Sequence, residues 1–254
     1  MWSTPTSTQS IDEFWEGELE RLRTNPPSRD SIEETVRYLD SHRRQWLAGA
    51  LRYLPQGHTF NTKVHLICGY DSVVCGGDVA LNLAFRQYRD DRREAVYYLI
   101  HELSHAGYFR YHRMPNLSGV KTGRQLVETV KLLTHLEGMG VIGPLALRRR
   151  ERGFLDRDYQ VLSDMDETKR RVGAYFAKLA ELENEPHRKV NSRTLDYFSA
   201  RPQRLWYITG AHMAMKIEER YGRNLLRELV REGHRAFFKV YEGLEDSPPC
   251  SESG

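Results

Sequence analysis

The segment His101-Glu102-Leu103-Ser104-His105 places two histidines four residues apart, with a glutamate between them. On an α-helix this spacing sets the two imidazoles about 40° apart around the axis and about 6 Å apart along it, so both can reach one ion. Glu102 lies about 100° round from His101, where it can act on a water held by the ion without being a ligand itself. The apolar run at residues 95–100 predicts a packed helix as a rigid support. The pattern therefore predicts a Zn²⁺ site with His101 and His105 as ligands and Glu102 as general base.

A catalytic zinc site typically has three protein ligands and one open position, so a third ligand is required. Glu128 and Glu137 follow in one helical pattern, and their separation of nine residues is about 180° of helical rotation, so only one of them can face the metal. Glu128 shares its side of the helix with polar residues, whereas Glu137 lies on an apolar stripe. That stripe consists of Leu126, Val130, Leu133 and Val141. A carboxylate there is costly to bury unless a cation pairs with it, which favours Glu137 over Glu128.

Two neighbouring residues complete this interpretation of the site. Gly138 directly follows Glu137, and we expect it to let the two metal-bearing helices pack closely. His112 is seven residues beyond His105, too far along a straight helix to reach the same ion, so we interpret it as lying outside the ligand set.

The rest of the chain is mostly helical in pattern, apart from one short stretch. Helical periodicity covers residues 10–24, about 30–54, 90–108, 121–150, 157–183, 203–221 and 222–242, with a break expected between Gly138 and Pro144. Residues 59–83 are β-branched and apolar segments separated by turn formers. The predicted fold class is α+β: a mostly helical domain with a small mixed or antiparallel sheet just before the metal-bearing helix.

The same pattern predicts how the chain is organised. Residues 1–55 form an N-terminal helical segment packed on the main domain, which spans residues 56–245. The tail at residues 246–254 is polar and contains proline, so we expect it to be disordered.

Composition excludes several other classes of protein. The formal charge is only +3, with 38 basic residues interleaved among 35 acidic ones, so we expect no nucleic-acid partner. No apolar run is long enough for a membrane span and the first residues are polar, so we expect no membrane association and a cytoplasmic location. The three cysteines have no C-x-x-C spacing, which leaves histidine and carboxylate as the metal ligands. Nothing in the sequence indicates an oligomeric state.

The metal motif followed by Glu137-Gly138-Met139-Gly140 resembles the gluzincin metallopeptidases, in which a glutamate on a second helix completes the zinc site. The segment Tyr207-Ile208-Thr209-Gly210-Ala211 is similar to the Y-x-x-G-A segment of aminopeptidase N-like enzymes, to which the chain bears a more distant likeness. The resemblance covers roughly residues 76–222 and implies a zincin-like domain. It also implies that Tyr207 stabilises the tetrahedral intermediate. The G-A-M-E-N segment that binds a substrate's free N-terminus is absent, so aminopeptidase specificity is not implied.

These observations predict a zinc metallopeptidase that acts on a peptide or protein substrate. Glu102 would take a proton from the activated water and pass it to the leaving amine, while Tyr207 would donate a hydrogen bond to the oxyanion. Residues 76–83 are interpreted either as an edge strand that pairs with an extended peptide or as an internal strand, with Gly77 and Asn82 as candidate substrate contacts. A zinc hydrolase of a non-peptide amide or ester, and a non-catalytic zinc-bearing interaction protein, are the alternatives.

Overall fold

A computed structural model describes residues 10–69, 71–200 and 203–245. Its helices and strands, in chain order, are α1 Ile11–Thr24, α2 Arg29–Ser41, α3 Arg43–Leu51, β1 Val64–Ile67, β2 Val73–Cys75, β3 Asp78–Asn82, α4 Gln87–Asp90, α5 Arg93–Tyr108, α6 Gly123–Glu151, α7 Arg157–Ser163, α8 Met165–Asn184, α9 Ser192–Ser199, α10 Leu205–Tyr221, α11 Arg223–Glu232 and α12 His234–Glu245. The predicted α+β class, mostly helical with a small sheet, is confirmed. The tail at 246–254 lies outside the described residues, and the division at residue 55 stays a prediction.

The sheet is mixed and has the strand order β1-β3-β2. β1 runs parallel to β3, and β2 runs antiparallel to it. Gly76 and Gly77 form the two-residue turn between β2 and β3, with φ values of 60° and 89°. Two consecutive positive φ angles are those of the hairpin turn that matches strand twist, and glycine adopts them without a steric cost. β3 is thus the middle strand, and residues 76–83 do not form an edge.

Helix α5 lies at the centre of the molecule. Thirteen of its sixteen residues are buried, on all sides of the helix. Helix α3, strands β2 and β3, and helix α6 all pack against it. A helix that is apolar on every side must be covered by other parts of the protein on every side, and these elements cover α5. The predicted rigid support for the metal motif is therefore present.

The apolar core has two parts, and α5 belongs mainly to one of them. The first cluster gathers residues of α2, α3, β3 and α5, including Leu81 and Ile100. The second gathers residues of α6, α8, α10, α11 and α12, including Leu133 and Ile208. The contact between α5 and α6 joins the two clusters, so side chains on that contact surface are held from both sides.

Helix α6 runs unbroken for 29 residues, so the predicted break between Gly138 and Pro144 was wrong. Thr122 and Gln125 form a capping box at its start, and Arg152 ends it in a left-handed conformation. The glycines in the middle are positions of close helix contact. A Cβ atom at Gly138 would lie 2.6 Å from the Cα of Gly210 on α10, and one at Gly143 would lie 2.9 Å from Ser104 Oγ on α5. Tertiary packing on both sides outweighs the weak helix propensity of glycine.

Three other boundaries differ from the prediction. The helix expected at about 30–54 is divided at His42 into α2 and α3. The helix expected at 157–183 is divided at Asp164, whose side chain accepts hydrogen bonds from two backbone N–H groups at the start of α8. Helix α9 occupies a stretch where no helix was predicted. Short helices of this kind carry too few turns for a clear periodic signal.

None of the helices at residues 10–69, 71–200 and 203–245 combines the length and the apolar character that crossing a bilayer would require.

The contact between Gly138 and Gly210 can be tested by adding a methyl group to either residue. In Gly210→Ala the new Cβ would lie 2.8 Å from the Cα of Gly138, and backbone atoms cannot move aside as a side chain does. We expect Gly138→Ala and Gly210→Ala each to lower the free energy of unfolding by about 1–3 kcal/mol or more. Urea denaturation measures this change.

The matched control is Gly173→Ala in α8, where the new Cβ would meet no atom within 4 Å. Alanine is the better helix former, so this variant should be more stable than the wild type by about 0.5–1 kcal/mol. If Gly210→Ala unfolded at the same urea concentration as Gly173→Ala, the close approach of α6 and α10 would be incorrect.

Candidate metal centre

His101, His105 and Glu137 come together at the contact between α5 and α6. Within the described chain they form the group of histidine, cysteine and carboxylate side chains suited to a metal ion, with one ligand atom from each lying within 4.8 Å of the others. Glu137 Oε2 is 3.3 Å from His101 Nε2 and also 3.3 Å from His105 Nε2. The exposed fractions of the three side chains are 17%, 10% and 2%. The cluster is therefore buried, with a small opening at His101.

The two distances from Glu137 to the histidines fit a tetrahedral zinc ion. Two ligand atoms at the usual zinc distances of about 2.0–2.1 Å are about 3.3–3.4 Å apart in a tetrahedral site, which is the separation of Glu137 Oε2 from each imidazole. His105 Nε2 is buried, and its 3.3 Å contact with Glu137 Oε2 lacks the geometry of a hydrogen bond, so it has no hydrogen-bond partner among the described residues. A buried polar atom without a partner is costly unless something binds it. Two imidazoles and one carboxylate are also a donor set that zinc prefers.

Gly140 forms one wall of the cluster. A Cβ atom at this position would lie 2.6 Å from His105 Nε2 and 2.8 Å from His101 Cε1. Gly140, and not Gly138 as expected from the sequence, is thus the glycine that lets α5 and α6 approach each other at the cluster. Gly138 faces the other way, toward Gly210 on α10.

The charges in the cluster favour an anionic Glu137. Burial alone would raise its pKa, but the imidazoles of His105 and His101 lower the pKa well below the usual range for a glutamate. Burial lowers the pKa of His101 to about 4, and His105 adds to that effect. Burial would lower the pKa of His105 as well, but the Glu137 carboxylate raises it, so a metal bound here would displace a proton from His105.

Glu102 lies beside the cluster and is 5% exposed. Its carboxylate makes no hydrogen bond to the described residues, and it faces two cavities that His101 also lines. Burial raises the pKa of Glu102 to about 7, and the neighbouring His105 opposes the rise. A carboxyl that titrates near neutrality suits proton transfer in both directions.

The structure separates Glu128 from the cluster. Its carboxylate pairs with Arg235 on α12 at 2.7 Å and with His234 at 3.4 Å. His112, which was interpreted as lying outside the ligand set, contacts the backbone carbonyl of Val230 through Nε2 at 2.7 Å. Both residues are therefore held by the last two helices.

Two further contacts join α5 to α6, one on each side of the cluster. At the start of α5 the fully buried Glu94 accepts hydrogen bonds of 2.6 and 2.7 Å from Arg148. At its end the Tyr108 hydroxyl is 3.0 Å from Nδ1 of the buried His135. Because residues early in α5 meet residues late in α6, the two helices are antiparallel. The cluster lies between these contacts, which fix the spacing of its three side chains.

Tyr207 lies in α10, one turn before Gly210. The contact of Gly210 with Gly138 brings this part of α10 against the turn of α6 that carries Glu137. Tyr207 is 3% exposed, and burial raises its pKa, with the nearby Glu137 carboxylate adding to the rise. It lines the same cavity as His101 and Glu102.

Two cavities meet at His101 and Glu102. The first has a volume of about 430 Å³ and extends past Tyr207 toward charged residues of α4, α6 and α7. The second has a volume of about 320 Å³ and is bounded by Phe109, Leu136 and strand β2. Gly77, a predicted substrate contact, lines the second cavity.

Asn82, the other predicted substrate contact, lies at the end of β3 and is fully buried. Its side chain accepts a hydrogen bond from Gly69 N at 3.0 Å and donates one to Gly69 O at 2.8 Å. The cavities at the cluster do not include it in their lining. Asn82 therefore holds the loop after β1, and a role in substrate binding stays a prediction without a supporting contact.

The sequence interpretation missed Asp158 and Arg204, which line the first cavity as an ion pair of 2.7 Å. It also missed Arg148, which is 1% exposed and lies between the rings of Tyr97 and Tyr159. A run of arginines gives no signal of which one is buried. Only the packing of α5, α6 and α7 distinguishes it.

A family model described as "Putative zinc dependent peptidase (DUF5700)" matches residues 27–244 of the chain. This span includes all three residues of the cluster, Glu102 and Tyr207. No curated protein and no solved structure matches the chain.

The close approach at Gly140 generates a prediction about metal affinity. In Gly140→Ala the added methyl group would press on both imidazoles, so we expect the affinity for Zn²⁺ to fall by about 10–100-fold, the usual effect of disturbing a residue that supports a metal ligand. Competition with a chromogenic chelator measures this affinity.

Gly143→Ala, one turn further along α6, is the matched control. Its Cβ would meet Ser104 Oγ and Ile100, neither of which belongs to the cluster. Its zinc affinity should stay close to that of the wild type. Equal affinities for the two alanine variants would mean that the metal is not held where Gly140 approaches the histidines.

Proposed function

The chain belongs to the DUF5700 family, and from this premise we propose that it is a zinc metallopeptidase whose metal is held by His101, His105 and Glu137. The single observation that carries the proposal is the buried cluster of these three side chains, with Glu102 beside it and cavities opening on two sides. Zinc is the metal that the family description names, and the donor set suits it.

Bound by these ligands, zinc supplies Lewis acidity that makes water nucleophilic at neutral pH and polarises a carbonyl oxygen. In our proposal Glu102 accepts the proton of the attacking water and delivers it to the leaving amine. Its position next to the cluster supports this role, because it faces the cavities and no side chain among the described residues forms a hydrogen bond with it. The glutamate also argues against a purely structural metal site, which has no use for a general base.

We propose that Tyr207 donates a hydrogen bond to the oxyanion that develops on the substrate carbonyl. Its burial in the wall of the cavity shared with His101 supports this role, since a donor that is already held in place loses little freedom during the reaction. The likeness of residues 207–211 to the Y-x-x-G-A segment points to the same role. A gluzincin arrangement, with Glu137 supplied by a second helix, is part of this proposal.

The substrate is proposed to be a peptide or protein segment that crosses the cluster from one cavity to the other. Cavities on both sides of His101 and Glu102 support this path. Because β3 is the middle strand, β2 replaces it as the candidate for pairing with an extended substrate. β2 pairs only with β3 in the described sheet, and Val73 and Val74 line the second cavity. A cytoplasmic location and the absence of a nucleic-acid partner remain predictions from the sequence.

Hydrolysis of an unbiased peptide library by the zinc-loaded protein, read by mass spectrometry, tests the proposal. We expect cleavage that a chelator abolishes and that added zinc restores. Glu102→Gln keeps the size of the side chain but cannot accept the proton. This variant should therefore retain zinc, and its rate of peptide cleavage should fall about 10²–10⁴-fold.

Other outcomes would support the alternative functions. Zinc binding with hydrolysis of amide or ester compounds, but of no peptide, would support a hydrolase of another class. Zinc binding without hydrolysis of any of these substrates would support a non-catalytic role. Full activity in Glu102→Gln would contradict the assignment of the general base.

A further inference from the structure

Arg204, the residue before α10, has a left-handed backbone conformation with φ 45° and ψ 47°. A residue with a Cβ atom is disfavoured there, whereas glycine adopts the same conformation readily. Such strain persists where the surrounding structure requires a particular side chain. The function of Arg204 is therefore to be sought in its guanidinium group.

That guanidinium group lies between a carboxylate and an aromatic ring. Its Nε atom donates to both Asp158 oxygens, at 2.8 and 2.7 Å, and its Nη2 atom is 2.7 Å from Asp158 Oδ2. Its Cζ atom is 3.5 Å from the centroid of the Tyr207 ring. The Arg204 and Asp158 side chains are only 15% and 6% exposed. A guanidinium held by a carboxylate and stacked on a ring is fixed in both position and orientation.

The elements around Arg204 hold it from outside the metal cluster. Asp158 belongs to α7, and Arg171 of α8 donates a hydrogen bond of 2.6 Å to the carbonyl of Gln203, the preceding residue. None of these three residues belongs to the cluster of His101, His105 and Glu137. Arg204, Tyr207 and His101 all line the first cavity, so the two groups meet there.

We infer that Arg204, held by Asp158, is a positioning residue for Tyr207: it fixes the phenol ring against the cavity wall and places a positive charge on the face of that ring. The inference rests on the proposed function, in which the Tyr207 hydroxyl donates to the oxyanion. A cation on the ring face draws electron density from the phenol and makes the hydroxyl a stronger donor. The strained backbone of Arg204 is the conformation that turns its side chain back over the ring.

A double-mutant cycle with Tyr207→Phe separates this role from a general structural one. Arg204→Gly relieves the backbone strain but removes the guanidinium group, and we expect kcat to fall about tenfold or more, with KM changed by less than about twofold. In the Tyr207→Phe background the same change should have almost no further effect. Arg204→Lys keeps the positive charge and avoids leaving Asp158 unpaired, so it should fold stably and retain part of the activity.

Arg152→Gly is the matched control. Arg152 is the other residue with a Cβ atom and a positive φ in the described chain, at 56°, and it is exposed at the end of α6. The variant relieves the same kind of strain at a residue that does not itself line the first cavity, and it should keep the kcat of the wild type. Equal losses from Arg204→Gly with and without Tyr207 would overturn the inference, as would a rise in KM at unchanged kcat, which would indicate a direct substrate contact.

A spectroscopic measurement tests the positioning without any turnover. In zinc-loaded protein labelled with 3-fluorotyrosine, the ¹⁹F resonance of Tyr207 is assigned by its loss in Tyr207→Phe. We expect this resonance to shift and broaden in Arg204→Gly and to stay in place in Arg152→Gly. An unmoved resonance in Arg204→Gly would contradict the inference. If the wild type cleaved no peptide while the resonance shifted as expected, the proposed function would fail and the positioning of Tyr207 would stand.

Discussion

The antiparallel contact between α5 and α6 is the constraint on which the candidate site depends. Neither helix alone supplies a metal site: α5 carries two imidazoles, and α6 carries the carboxylate. The buried pair of Glu94 with Arg148 on one side, and the contact of Tyr108 with His135 on the other, fix how the helices lie along each other. Removing one partner of such a buried pair is strongly destabilising. The two contacts therefore hold α5 and α6 at one position along each other.

The glycines of α6 show how helix packing overrides local propensity. The segment from Gly138 to Pro144 has the composition of a helix end, yet Gly138 and Gly140 lie in an unbroken helix because neighbouring atoms occupy the space of their missing side chains. Gly138 lets α10 pack closely, and Gly140 leaves room for the two histidines. A sequence alone does not show which atoms approach a glycine, so it does not distinguish a contact position from a breaker.

That His101, His105 and Glu137 come together was nevertheless predictable, because the signals for it are local. The spacing of His101 and His105 follows from one helical turn, and the apolar stripe around Glu137 follows from helical rotation. The α+β class and a small sheet just before α5 were predictable for similar reasons. Arg204 was not, because its conformation is set by Asp158 and Tyr207 through tertiary contacts. The place of β3 in the middle of the sheet was likewise not predictable, since strand order depends on pairing between distant segments.

The central claim is that Glu137, and not Glu128, completes a zinc site with the two histidines. The most direct test is the zinc content of the purified protein, measured by elemental mass spectrometry in the wild type, Glu137→Ala and Glu128→Ala. We predict close to one zinc per chain in the wild type and in Glu128→Ala, and loss of zinc in Glu137→Ala. Retention of zinc by Glu137→Ala together with its loss in Glu128→Ala would contradict the account.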